Sequence, residues 1–232
     1  MLIGGIQKMT LIDYPAKVAA IIFTIGCNFR CRFCYNTRLV EPKLFKENEI
    51  ISEKTIFDFL KTRIGKLDAI VITGGEPTLQ KDLAVFIRKI KKMGFLVKLD
   101  TNGTNPDSLK KLLAEKLLDY VAMDIKNELN REDYQKVVQE DIDIEKIKGS
   151  IKILMNSNID YEFRTTVAPG ITKENILNIA KYIKGAKKYY LQEFQDMDVI
   201  DNDCKQKGWL KEDDLNSIAL EISNIVEECK VR

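Results

Sequence analysis

The sequence predicts an α/β fold: a partial (β/α)6 TIM-like barrel with mostly parallel strands. Three observations lead there. Six short apolar runs recur along the chain, most of them rich in β-branched and aromatic residues. Stretches with helical periodicity separate most of them, and such alternation builds a parallel sheet through right-handed crossovers. With 232 residues, the chain is short of the roughly 250 that a full eightfold barrel takes, so six units fit better.

The runs justify themselves in order. Val18–Thr24 (VAAIIFT) is apolar throughout and suits a strand covered on both faces. Asp68–Thr73, Phe95–Leu99, Tyr120–Met123, Tyr161–Val167 and Lys188–Phe194 read the same way. Between them, Lys81–Met93 sets Leu83, Phe86, Ile87 and Ile90 on one helical face. Pro106–Leu118 opens with Asn105 as an N-cap and Pro106 at the first helical position. Ile144, Ile147, Ile151 and Leu154 form another stripe, and Thr172–Lys184 carries Ile176, Ile179, Ala180 and Ile183 before Gly185. Leu215, Ile218, Ile222, Ile225 and Cys229 suggest a last helix over about 210–230. There is no linker and no repeat. A single domain over 1–232 is expected, its core at about 11–194.

Composition narrows the function. Hydrophobic residues make up 45% of the chain, enough for a core, and exclude global disorder. A net charge of +2 gives no support for nucleic-acid binding over the whole surface. No apolar run approaches a membrane span, and no signal-peptide core is evident, so a soluble, cytoplasmic protein is expected. The absence of histidine excludes Ser-His and Cys-His catalytic pairs and any His-ligated metal. Of five cysteines, Cys27, Cys31 and Cys34 fall within eight residues, a density that argues for a metal centre over a disulfide framework.

In an α/β sheet of this kind, sites gather beyond the carboxyl ends of strands. The chemically loaded residues do sit there. Cys27-x3-Cys31-x2-Cys34 follows the first run. Gly74-Gly75-Glu76-Pro77 follows the second, where two glycines permit close backbone approach and Glu76 brings a charge. Asp100-Thr101-Asn102-Gly103 follows the third with polar groups suited to ribose hydroxyls or an amino-acid moiety. Asp124-Ile125-Lys126 follows the fourth, with both charges on one side if the strand continues. Arg164 lies within the fifth run, where a buried charge needs an anionic partner: a carboxylate of a bound ligand, Glu76 or Asp124. Gln192 is a polar residue in the last. Structural zinc wants four ligands and here would need a distant cysteine or a carboxylate. Three thiolates on a [4Fe-4S] cluster would instead leave one iron open to substrate.

The C-x3-C-x2-C loop, with aromatic Phe33 before the third cysteine, resembles the signature of radical S-adenosylmethionine (SAM) enzymes. The resemblance implies that Cys27, Cys31 and Cys34 hold a [4Fe-4S] cluster whose open iron chelates the methionine end of SAM. Reductive cleavage of SAM then gives a 5′-deoxyadenosyl radical that abstracts hydrogen. It implies that Phe33 packs near the adenine and that Gly74, Gly75 and Glu76 hold the SAM ammonium; Asp100, Thr101, Asn102, Lys126 and Arg164, with Gln192 if it faces the site and not solvent, are expected to complete the cofactor site. The segments TLIDYPAKVAAIIFTIGCNFRCRFCYN, VITGGEPTL, KLDTNG, DYVAMDIK and FRTTVAPG are closest to activases of anaerobic ribonucleoside-triphosphate reductase and pyruvate formate-lyase. By that resemblance the substrate is a glycine of a partner glycyl-radical enzyme, Asp124 and Lys126 lie at the SAM carboxylate and the partner's peptide, and the electron donor is flavodoxin or ferredoxin. Tyr35 stands where many activases carry histidine. The alternatives are a small-molecule radical SAM enzyme resembling 7-carboxy-7-deazaguanine synthase, and a non-catalytic iron–sulfur or zinc module.

Replacing Cys27, Cys31 or Cys34 with Ala should abolish the iron–sulfur absorption at roughly 400 nm after anaerobic reconstitution, because two thiolates do not retain the cluster. Cys204→Ala and Cys229→Ala should keep it. Iron content and the visible spectrum of the five variants check this.

Overall fold

The computed structural model describes residues 1–232. Its elements alternate as expected: β1 (Ile3–Thr10), β2 (Ala19–Thr24), α1 (Thr37–Val40), α2 (Glu53–Lys61), β3 (Ala69–Gly74), α3 (Leu83–Lys92), β4 (Leu96–Thr101), α4 (Pro106–Ala114), β5 (Tyr120–Asp124), α5 (Arg131–Val138), α6 (Ile144–Met155), β6 (Asp160–Val167), α7 (Lys173–Tyr182), β7 (Tyr189–Glu193), α8 (Glu212–Ile222) and β8 (Cys229–Val231). One eight-stranded sheet takes the strands in chain order, β1 to β8. Order without reversal is the winding of a barrel; a doubly wound sheet reverses. The β2–β3, β3–β4, β6–β7 and β7–β8 pairs are parallel, and only β1 is shown antiparallel, against β2. No helix is long and apolar enough to cross a membrane.

Two compact units are distinguishable. One comprises Met1–Asn28, Asn36–Thr101 and Asp107–Val121. In it, Ala19 and Ile21 of β2, Ala69 and Val71 of β3, Tyr14 and Tyr120 pack on one side of the sheet. Ala20, Ile22, Ile70 and Ile72 are completely buried as well, so the strands are covered on both faces, as their unbroken apolar runs require. The predicted stripe of α3 is fully used: Leu83, Phe86, Ile87 and Ile90 are all buried.

The other unit comprises Phe29–Tyr35, Asn102–Pro106 and Ala122–Arg232. Here α6 buries Ile147, Ile151 and Leu154, and α7 buries Ile176, Ile179 and Ala180. Thr172 and Asn175 cap α7 reciprocally. The sequence did not reveal α5, because only Tyr134 and Val138 of its eight residues are buried. Its ends matter most. Asn130 accepts from Asp133 N at the start. At the end, the Val137 and Val138 carbonyls accept from Arg32 N at 3.2 Å and Arg30 N at 2.9 Å, so the cysteine segment fills acceptors that a helix terminus leaves open.

The C-terminal helix expected over about 210–230 is shorter, Glu212–Ile222, and Cys229 lies in strand β8. The spacing of Ile225 and Cys229 imitates a helical stripe. Beyond Ser223, however, the backbone pairs outward: the Ile225 carbonyl accepts from Gly185 N, Glu227 N donates to Ala186, and the Glu228 carbonyl accepts from Tyr189 N. Those partners lead the chain into register beside β7.

Asn130→Ala should cost about 1 kcal/mol through the lost cap, or roughly 2–4 °C in Tm for a chain this long. Thermal unfolding followed by circular dichroism checks this.

Candidate functional site

Building the site starts with glycine. Gly74 ends β3 at φ +117, and a Cβ there would stand 2.4 Å from Thr24 N and O. A Cβ on Gly75 would stand 2.1 Å from Gly26 O. Gly75 N donates to Thr24 O and Glu76 N to Gly26 O. The two glycines are thus required where β3 passes the start of the cysteine loop, and the close approach is to that loop's own backbone. Gly26, at φ +98, donates to Leu39 O, Cys27 N donates to Val40 O, and Gln80 Nε2 bonds Ile25 O. Cys27 therefore leaves β2 on a backbone fixed on both sides.

In the same unit Glu76 is fully buried. Its Oε1 accepts from Thr78 N at 3.0 Å, Thr78 Oγ1 at 2.6 Å and Thr101 Oγ1 at 2.7 Å. One oxygen thereby ties the GGEP motif to the DTNG motif. Asp100 pairs with Lys98, whose Nζ lies 2.7 Å from Oδ1 and 5.8 Å from the centroid of the Tyr120 ring. Sequence reasoning missed Lys98, which is 2% exposed. The signal was its i, i+2 spacing from Asp100 within a strand.

In the second unit, Cys31 and Cys34 sit on a segment held from two directions. Besides the α5 carbonyls, Asp201 N donates to Arg32 O, Ile200 N to Cys34 O, and Arg32 Nε meets Asp201 at 2.6 Å. Cys31 and Phe33 are buried and Cys34 is half-buried. Asp124 at the end of β5 lies between two cations, Lys126 Nζ at 2.9 Å and Arg164 Nε at 2.8 Å. The Lys126 ammonium also stands 5.7 Å from the Phe33 ring centroid. Burial alone would raise the Asp124 carboxyl, but Arg164 and Lys126 hold it well below the usual carboxylate range. Burial would likewise lower Lys126, and the Asp124 and Cys31 charges keep it protonated. The pair of motifs is fixed by backbone as well: Ile125 N donates to Arg164 O and Lys126 N to the Tyr134 hydroxyl.

Asn102 is the turn-former of its motif, accepting from Thr104 N at 3.1 Å and Oγ1 at 2.7 Å, while Gly103 adopts φ +77. Gln192 sits beside Thr166 in the β6–β7 ladder, 3.4 Å from its hydroxyl. Tyr35 stacks on Phe194, and its hydroxyl accepts from Gln195 N at 2.7 Å. Cys204 is buried in the short turn after Asp201, and burial pushes the Cys229 thiol up to about 12.

The donor chemistry fits an iron–sulfur centre. None of the five cysteines forms a disulfide, and the chain has no imidazole to compete. No three His, Cys, Asp or Glu side chains converge on a single-ion site.

The sequence profile of the radical SAM superfamily matches residues 21–183, and the chain belongs to that superfamily. Its cofactors are accordingly a [4Fe-4S] cluster and SAM. A protein of Methanocaldococcus jannaschii, provisionally named a glycyl-radical enzyme activating enzyme, is 37% identical over 100% of this chain and 95% of its own length. A GTP 3′,8-cyclase of Aliarcobacter butzleri is 29% identical over 79% of this chain and 55% of its own. A 7-carboxy-7-deazaguanine synthase of Thermococcus kodakarensis is 25% identical over 75% of this chain and 73% of its own. Among solved structures, Streptococcus suis SuiB bound to S-adenosylmethionine shares the fold, with a TM-score of 0.70 at 12% identity, over 91% of this chain and 49% of SuiB.

Gly75→Ala should lose cluster-binding capacity together with stability, because the methyl group displaces the Gly26 carbonyl just before Cys27. Reconstituted iron content and Tm should fall together. A stable variant with full iron would mean that the loop tolerates the displacement.

Proposed function

We propose that this chain is an activase that makes a glycyl radical on a partner enzyme. The observation that carries the reading is the 37% identity to a relative so named, over 100% of this chain and 95% of that relative's length. In this reading Cys27, Cys31 and Cys34 hold the cluster, with flavodoxin or ferredoxin as its electron source. When bound and reduced, the cluster supplies the electron that cleaves the S–C5′ bond of SAM for hydrogen abstraction. Phe33 packs against the adenine, and Gly74, Gly75, Glu76, Asp100, Thr101, Asn102 and Gln192 shape the rest of the cofactor site. Lys126 and Arg164, both cationic and less than 15% exposed, hold the SAM carboxylate in place. Asp124 keeps the two cations oriented and offers its remaining exposure, 24%, to the entering peptide.

A small-molecule substrate is the second reading, favoured by the cyclase and synthase relatives. The cyclase relative carries nearly half its length outside the region shared with this chain.

Reduced protein, SAM and the co-encoded glycyl-radical enzyme mixed under argon should give a doublet in the EPR spectrum, with one 5′-deoxyadenosine formed per radical. Asp124→Ala should impair radical formation more than SAM binding. SAM cleavage without that doublet, alongside turnover of a small molecule, would transfer the assignment to the second reading.

A further inference from the structure

Arg164 has a second carboxylate in reach. Two residues earlier on β6, and on the same strand face by alternation, lies Glu162, which is fully buried. Arg164 Nη1 stands 4.0 Å from Glu162 Oε1. What occupies Glu162 is Arg232. Its Nη1 lies 3.1 Å from Oε1 and its Nη2 3.3 Å from Oε2, a two-pronged contact suited to a carboxylate. Arg232 is itself held in place. Its guanidinium carbon lies 3.5 Å from the centroid of the Tyr190 ring, and Tyr190 is the β7 neighbour of Arg164. Its backbone N donates to Leu191 O, and its carbonyl accepts from Glu193 N. The nearby Glu228 is engaged by Lys230 and by the Tyr190 hydroxyl, so Glu162 is the carboxylate that Arg232 serves.

Five charges therefore alternate in sign across one unit: Lys126, Asp124, Arg164, Glu162 and Arg232. A buried carboxylate that loses a cation favours another within reach. For Glu162, Arg164 is such a cation, 4.0 Å away on the same strand. Asp124 would then lose the partner that helps fix it, and Lys126 would lose its alignment.

We propose that Arg232 is a positioning residue for SAM binding: by occupying Glu162 it keeps Arg164 on Asp124. The inference rests on the reading that Arg164 and Lys126 hold the SAM carboxylate.

The test measures SAM affinity by equilibrium dialysis on anaerobically reconstituted protein, with iron content and Tm as controls. Arg232→Met should weaken SAM binding about tenfold, the scale of one charge-assisted hydrogen bond, with iron unchanged. Arg232→Lys, which retains the charge, should bind more tightly than Arg232→Met. The distinguishing variant is the double one, Glu162→Gln with Arg232→Met. A neutral amide in place of the Glu162 carboxylate no longer competes for Arg164, so affinity should return to within about twofold of the parent protein, an outcome that lost packing alone would not give. Should Arg232→Met fail to fold, Arg232→Lys carries the test: it keeps the charge but loses the two-pronged contact, and SAM affinity equal to that of the parent protein would overturn the inference. Normal affinity in Arg232→Met, or no recovery in the double variant, overturns the inference. Arg164→Ala separates the two levels. Unchanged affinity there removes the cofactor reading and this inference together, whereas a loss there beside normal Arg232→Met removes only the role of Arg232.

Discussion

Asp124 between Lys126 and Arg164 is the arrangement on which the second unit's site depends. Three charges at one strand end would be costly to bury separately, and hydrogen-bonded contacts of 2.8 and 2.9 Å offset that cost. The arrangement keeps Lys126 protonated and both cations directed. It also explains why β5 and β6 are joined around the motif by backbone, from Ile125 N to Arg164 O, and by the Thr165 hydroxyl on Ile125 O. A guanidinium carries five N–H donors and an ammonium three, so one carboxylate does not exhaust either.

The cysteine loop is governed by a different constraint, the need to satisfy backbone groups. Arg30 N and Arg32 N complete the end of α5, while the Arg32 and Cys34 carbonyls accept from Asp201 and Ile200. On the side of Cys27, Gly26 is bonded through both its N–H and its carbonyl. A loop presenting thiolates must be rigid enough to keep them available and exposed enough to admit a cofactor. Here the rigidity comes from the main chain. The glycine pair after β3 belongs to the same device. The sequence suggested a role in approaching a ligand; what the structure shows is the pair letting two backbones pass.

Six strands were legible because each is a short, largely buried run, mostly apolar or rich in β-branched and aromatic residues, and their ends fell within one or two residues of expectation. Strand β1 was not. Its sequence IGGIQKMT is half polar, its middle is exposed, and its register against β2 shifts twice, so it has no clean period. Strand β8 is three residues long and carries no pattern of its own. Helix α5 escaped notice because it buries two side chains, and its importance lies in its terminal carbonyls, which no side-chain pattern encodes.

By itself the sequence determined the fold class, the superfamily and the positions of the loaded motifs, because all three depend on local order: apolar runs, cysteine spacing and polar residues just after strands. It set Asp124 and Lys126 on one side of a strand and left Asp124 as one of several candidate partners of Arg164. Only the tertiary structure decided that Asp124 lies between the other two, that Glu76 is tied to Thr101, that Lys98 supports Asp100 and that Arg232 serves Glu162. Those pairings join residues on different elements, up to 70 positions apart, or side chains whose direction the burial of a strand face selects. Charge pairing in an interior is set by which groups folding leaves without water, and the order of residues along the chain does not state that.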